Sequence, residues 1–339
     1  MKLRVNQGFL FLFVLGWCAG TLSLLAQDPV ELPEGVSPES EWAYGKHLGQ
    51  LEEIMKNSDL AAREQQLESF MNKLHPQSKI LQYYESFFSR TVGDYEKAGK
   101  AQEANALTNK MLKLFPDSTA LLTQALGAAV QKQDYARAIE VGERLQAIKP
   151  DQQQTTVLLA QSYIATNNGP KAAEYSQKAL DAMGPKDGFY FAYWLATYHT
   201  GQRNVPKAVQ YYEMLLKAYP QGTPSGWQAA QWSTLKGTAY TTIARAAYDK
   251  QNFAGAIQNY NESLRYSPKN DLIYLSMGLS YWKLQQLEPA MEAFAKAVVL
   301  GKDYAPKAQE YLEQIYKPLN GDSLDGLDGV LAKARTALN

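Results

Sequence analysis

The stretch Asp271-Leu-Ile-Tyr-Leu-Ser-Met-Gly-Leu-Ser-Tyr-Trp-Lys-Leu-Gln-Gln-Leu-Glu-Pro-Ala-Met-Glu-Ala-Phe-Ala-Lys-Ala-Val-Val-Leu-Gly-Lys302 carries the pattern that decides the fold. Apolar residues recur every three or four places on both sides of the polar break Gln285-Gln-Leu-Glu288. That spacing predicts two amphipathic helices joined by a short turn. Small residues stand at Gly278, Ala290 and Ala297, because paired helices approach within ~8–10 Å only where a side chain is small. The larger residues beside them, Tyr274, Tyr281 and Phe294, fill the space between successive pairs. The preceding stretch has the same layout in Tyr240, Ile243-Ala244, Ala256, Tyr260 and Pro268.

Moving outward, this layout repeats. Pro116 and Pro150 are 34 residues apart, and Pro76, Pro220 and Pro268 occupy the same place where insertions stretch the spacing. Twelve residues before each proline stands Ala104, Ala138, Ala208 or Ala256, with Glu64 the exception, and Ala172 and Ala290 keep the place in units without the proline. The frames are 45–78, 85–118, 119–152, 153–186, 189–222, 237–270 and 271–304. Each is a helix–turn–helix, and a fixed period of this size marks a repeat array.

In length and residue pattern the units resemble the tetratricopeptide repeat family, over about 260 residues. The resemblance implies an all-α fold, a right-handed superhelical solenoid of about seven helix pairs with a C-terminal capping helix. Unit 45–78 is the atypical one, with Glu52 and Glu64 where small apolar residues belong, as an end repeat requires. Residues 305–317 read as a helix covering the last apolar face, followed by a link at 320–326 and a last helix around 327–338. The aspartates of that link fit turn and helix-cap chemistry better than a calcium loop, because Leu324 and Leu327 break the alternation of oxygen ligands.

The chain begins with Lys2 and Arg4, then an apolar run from Phe9 to Leu25. Residues 1–26 read as a Sec-type signal peptide with cleavage after Ala26, which places the protein in the periplasm or outside the cell. Trp17 ahead of Cys18 is too large for a lipoprotein box. Residues 27–44, rich in proline at their start, read as a flexible tether.

Composition limits the chemistry. The 34 basic residues balance the 34 acidic ones, which argues against nucleic acid as the partner. One cysteine excludes a disulfide framework and a cysteine-built zinc site. His47, His75 and His199 fall in different units, and no phosphate loop, zincin helix or nucleophile elbow is present. No catalytic residue, cofactor or metal is expected.

In the family the first helix of each unit lines a concave groove. The resemblance places Tyr190, Tyr193, Thr197, Thr238, Thr241, Arg245, Tyr248, Leu275 and Trp282 there. No lysine–asparagine pair of the family's carboxylate clamp survives. The remaining wall of aromatic and hydroxyl groups suits a protein or peptide segment, though the same rings also suit packing between units. Trp227 and Trp232, in the 223–236 insertion, either cover the preceding unit's end or form a secondary contact patch. A helix is expected there from Thr223-Pro224 to about Lys250. The function expected is a non-catalytic adaptor or scaffold of the cell envelope. The alternatives are a glycan-binding or glycan-cleaving envelope protein, and a self-associating scaffold.

Overall fold

A computed structural model describes residues 38–72 and 80–339. The leader, Cys18, residues 27–37 of the tether, His75 and Pro76 lie outside the described residues. Every regular element described is an α-helix. In chain order these are α1 (Pro38–Met55), α2 (Leu60–Met71), α3 (Leu81–Lys97), α4 (Ala101–Leu114), α5 (Thr119–Gln131), α6 (Tyr135–Ile148), α7 (Gln153–Ala165) and α8 (Gly169–Asp187). They continue as α9 (Phe189–Gly201), α10 (Val205–Ala218), α11 (Ala229–Asp249), α12 (Phe253–Leu264), α13 (Asp271–Lys283), α14 (Leu287–Leu300), α15 (Ala305–Leu319) and α16 (Leu327–Ala337). The residues expected to form the end of the tether are helical from Pro38 onward.

The turn inside six of the hairpins is one repeated device. Gly99, Gln133, Asn167, Arg203, Gln251 and Gln285 all adopt positive φ, between 56° and 72°. The next residue's N–H then reaches back to close a six-residue loop, as in Asp134 to the Ala129 carbonyl at 2.8 Å and Asn252 to that of Ala247 at 2.9 Å. This is the left-handed helix ending that satisfies otherwise orphaned carbonyls. That same next residue caps the following helix. Asp134, Asn168, Asn204 and Asn252 each accept from the N–H three residues on, supplying a partner for one of the free donors. Four of the five side chains at the left-handed place that are not glycine are Gln or Arg, which pay a steric cost there.

The chain divides into two compact units, up to Ala104 and from Asn105. In the first, Leu51, Leu67, Tyr84 and Phe88 are buried. Arg63 is buried too, with its guanidinium on Asp94 at 2.6 Å and on the Asn57 carbonyl. The two glutamates that break the repeat pattern have partners here: Tyr95 donates to Glu64 at 3.0 Å, and Arg90 reaches Glu52 at 3.4 Å.

In the second unit each helix packs on the next, from α5 through α15, while α16 lies on α14. The small consensus residues sit at the closest approaches. A Cβ at Gly278 would stand 2.5 Å from the Phe294 ring, and one at Gly142 would stand 2.8 Å from Leu159. Ala172, Ala208, Ala256 and Ala290 are fully buried. Tyr163 donates to Glu143 and Tyr211 to Gln177, each tying a buried ring to the preceding unit's second helix.

A further expectation needs correction. The long helix begins at Ala229, not at Thr223-Pro224. Gly222 and Gly226 both take positive φ, and the Trp227 N–H closes a turn onto the Pro224 carbonyl at 3.1 Å. The helix starts after them, with the Gln231 side chain accepting from the Gln228 N–H at 3.1 Å. At the C-terminal end, α15 runs to Leu319, and the aspartate-rich link folds as turns: Tyr316 donates to the Asp325 carbonyl at 2.7 Å and the Asp325 N–H to Ser323 at 3.0 Å.

Candidate partner-binding surface

The first helix of each hairpin and the second one differ in what they leave exposed. On α9, Phe189, Ala192, Leu195, Ala196 and His199 turn inward, and Tyr190, Tyr193, Trp194, Thr197 and Tyr198 remain half-buried. The helix is apolar nearly all round, because both of its flanks face other helices. Tyr193 meets Trp227 edge-on at 5.1 Å, and Trp194 stacks on Tyr198 with centroids 5.0 Å apart and planes at 10°. Thr197 hydrogen-bonds to the Tyr193 carbonyl at 2.9 Å, so its hydroxyl is already used within the helix. The Tyr190 hydroxyl is buried without a partner among the described residues, and burial pushes its pKa up to about 12.

His199 is buried and stacks on Tyr211 at 5.7 Å with planes 5° apart. Burial, and then the charge of Lys207, holds its pKa below the ordinary 6.5. It is a packing group.

Further aromatic contacts involve α11, α13 and α15. Trp282 meets Tyr311 edge-on at 5.7 Å and Phe294 at 6.3 Å, and Tyr248 meets Phe253 at 5.2 Å. Burial, and then the nearby Tyr311, raises the Tyr248 pKa above its ordinary value. Arg245 is exposed, forms no ion pair among the described residues, and lies near enough to Tyr260 to favour its ionisation against the larger effect of burial. Thr241 is engaged inside the hairpin, bonded to Ser263 at 2.7 Å and to the Gly237 carbonyl at 2.9 Å. Leu275, expected on the open face, is only 6% exposed, because it packs with Phe294 and Leu312.

The insertion tryptophans cover rather than present. Trp232 is 2% exposed and sits against Phe189 at 5.8 Å and Tyr219 at 6.0 Å, which removes it from any contact patch. Trp227 is half-buried between Phe189 and Tyr193. The structure thus brings Tyr190, Tyr193 and Trp227 to one cluster, and sets Trp282 among Phe294 and Tyr311 apart from Tyr248, which packs on Phe253. Sequence reasoning passed over Trp194, Tyr198 and Tyr311. The four-residue spacing of the first two, which puts them on one helix face, was the available signal.

Two hollows lie elsewhere. One of about 500 Å³ is lined by Ser267, Lys269, Asp271 and Lys302. Its polar groups serve the chain itself: Asp271 accepts from the Tyr304 N–H at 2.8 Å and Lys302 donates to the Lys269 carbonyl at 2.7 Å. The other, about 600 Å³, lies beside Glu53, Asn57 and Phe70 in the first unit. Among the described residues no group of His, Cys, Asp and Glu is arranged to hold a metal ion, and no helix is long and apolar enough to cross a membrane.

Comparison with known proteins finds family models that match part of the chain. A model described as Tetratricopeptide repeat matches residues 157–223, and one described as TPR repeat matches residues 244–285. No curated protein matches the chain. Among solved structures, the chain is similar to a tetratricopeptide repeat protein from Parabacteroides merdae, at 16% identity over 81% of this chain and 99% of that one, with a TM-score of 0.37. It is also similar to YrrB, a TPR protein with an unusual peptide-binding site, at 14% identity over 60% of this chain and 97% of that one, with a TM-score of 0.40. A third is PilW, a type IV pilus biogenesis factor, at 15% identity over 66% of this chain and 98% of that one, with a TM-score of 0.33.

Proposed function

We propose, from the premise that this chain is built of tetratricopeptide repeats, that it is a non-catalytic adaptor holding a segment of another protein against its first helices. Repeats of this kind serve protein–protein interaction in general. The observation that carries the finer reading is the row of half-buried rings on α9, Tyr193, Trp194 and Tyr198, with Trp227 beside them. Aromatic residues held by packing on one side and open on the other give large contact area at small entropy cost, and they dominate binding hot spots. Arg245, with no ion pair among the described residues, adds a charge on α11. The leader at residues 1–26 supports action in the cell envelope or outside the cell.

The test is co-purification from native envelope with the chain tagged at its C-terminus. It compares the native chain with a Tyr193→Ala, Trp282→Ala variant and with Arg245→Glu, whose exposed position spares the fold. A discrete protein retained by the native chain and lost from both variants is the expected result. Capture that is the same in all three overturns the assignment of this surface.

A further inference from the structure

The charges of the second unit are distributed by helix. The first helices α5 (Thr-Ala-Leu-Leu-Thr-Gln-Ala-Leu-Gly-Ala-Ala-Val-Gln), α7 (Gln-Gln-Thr-Thr-Val-Leu-Leu-Ala-Gln-Ser-Tyr-Ile-Ala) and α9 (Phe-Tyr-Phe-Ala-Tyr-Trp-Leu-Ala-Thr-Tyr-His-Thr-Gly) each have 13 residues and contain no Asp, Glu, Lys or Arg. Their one histidine is buried. At the chain's 20% charged content, about eight charged residues would fall in three such helices. The second helices paired with them carry the charge instead, as α6 does with Arg137, Glu140, Glu143 and Arg144.

Burial explains the lack of charge on α9, where only Thr200 and Gly201 are exposed, but not on α5 and α7. Thr123, Gly127, Gln153, Gln154 and Ala165 on α5 and α7 are exposed, where a solvated helix ordinarily places Lys or Glu. A second, independent observation lies on the same helices. The Gln161 amide oxygen of α7 and the Tyr190 hydroxyl of α9 are buried without partners among the described residues. An unpaired buried polar group is costly, and a donor or acceptor brought by a ligand relieves it.

We infer that the uncharged face of α5, α7 and α9 receives a segment of the partner that itself carries no ionised side chain, made of amide, hydroxyl and aromatic residues. This rests on the reading that the first helices bind a protein segment, and it specifies the chemistry of that segment. A charged side chain laid on this face loses hydration and finds no counter-ion. A neutral polar one exchanges water for amide and hydroxyl partners and stacks on Tyr193, Trp194 and Tyr198. The face therefore selects by rejection as much as by attraction. Three first helices spaced ~10 Å apart match an extended segment of about 6–9 residues at ~3.3 Å each.

Calorimetric titration of the full chain with capped peptide pools about 10 residues long tests this. One pool is built from Gln, Asn, Ser, Thr, Tyr and Phe; a second has Lys, and a third Glu, at two places; a neutral oligosaccharide is the fourth titrant. The neutral pool is expected to bind at least about tenfold tighter than either charged pool, with an affinity unchanged up to about 1 M salt. The exposed Thr123→Lys variant is expected to shift the preference toward the Glu pool. Tighter binding of a charged pool to the native chain overturns this inference and leaves the protein-segment reading standing. Binding of the oligosaccharide alone, or of nothing, overturns both.

Discussion

Gln133, Arg203, Gln251 and Gln285 hold a backbone conformation that costs an L-residue ~1–2 kcal/mol. Replacing Gln251 by Gly is expected to raise stability by about 0.5–1 kcal/mol, the steric relief less the added freedom of the unfolded chain. One position further on, Asn252→Ala removes a helix cap and is expected to cost about 1 kcal/mol, whereas Gln286, which makes no side-chain cap, should gain a similar amount as Asn. Urea midpoints of the three variants check these signs. His199 gives a pH dependence. Its native pKa lies below 6.5, so as pH falls through about 6.5 the unfolded chain binds the proton first. Stability contributed by neutral His199 is whole above that pH and is lost progressively below it, until the native imidazole also protonates. His199→Gln is expected to flatten this slope in urea midpoints measured across the range. An unchanged slope would exclude His199 as its source.

At the scale of elements, small residues and rings are interlocked. Gly278→Ala drives a methyl into the Phe294 ring and is expected to cost ~1–3 kcal/mol by overpacking, read as a lower thermal midpoint. Trp232→Ala is expected to cost ~3–5 kcal/mol, since its ring fills the junction between Phe189 and Tyr219. These hairpins were legible in the sequence because one 3.6-residue period and one set of small residues repeat in them. The start of α11 was not, since Pro224 reads as a helix opener until the positive φ of Gly222 and Gly226 is known. The site was only partly legible. The family resemblance places Tyr193, Thr241, Leu275 and Trp282 in one groove and gives no warning that Thr241 and Leu275 turn inward, because that depends on which neighbour each side chain meets.

Across the second unit, stability comes from each helix resting on the next, and α5, α7 and α9 differ in charge from the second helices paired with them. The charge-bearing second helices keep the chain solvated, and the uncharged first helices α5, α7 and α9 are the surface proposed for a partner. Photo-crosslinking separates the two faces directly. A photoreactive residue is placed at exposed Thr123 or Thr238 on first helices, or at exposed Glu140 or Glu213 on second helices, in the chain expressed in its native host. The account predicts one discrete protein adduct from Thr123 and Thr238 and none from Glu140 and Glu213. An adduct confined to Glu140 and Glu213 would contradict it.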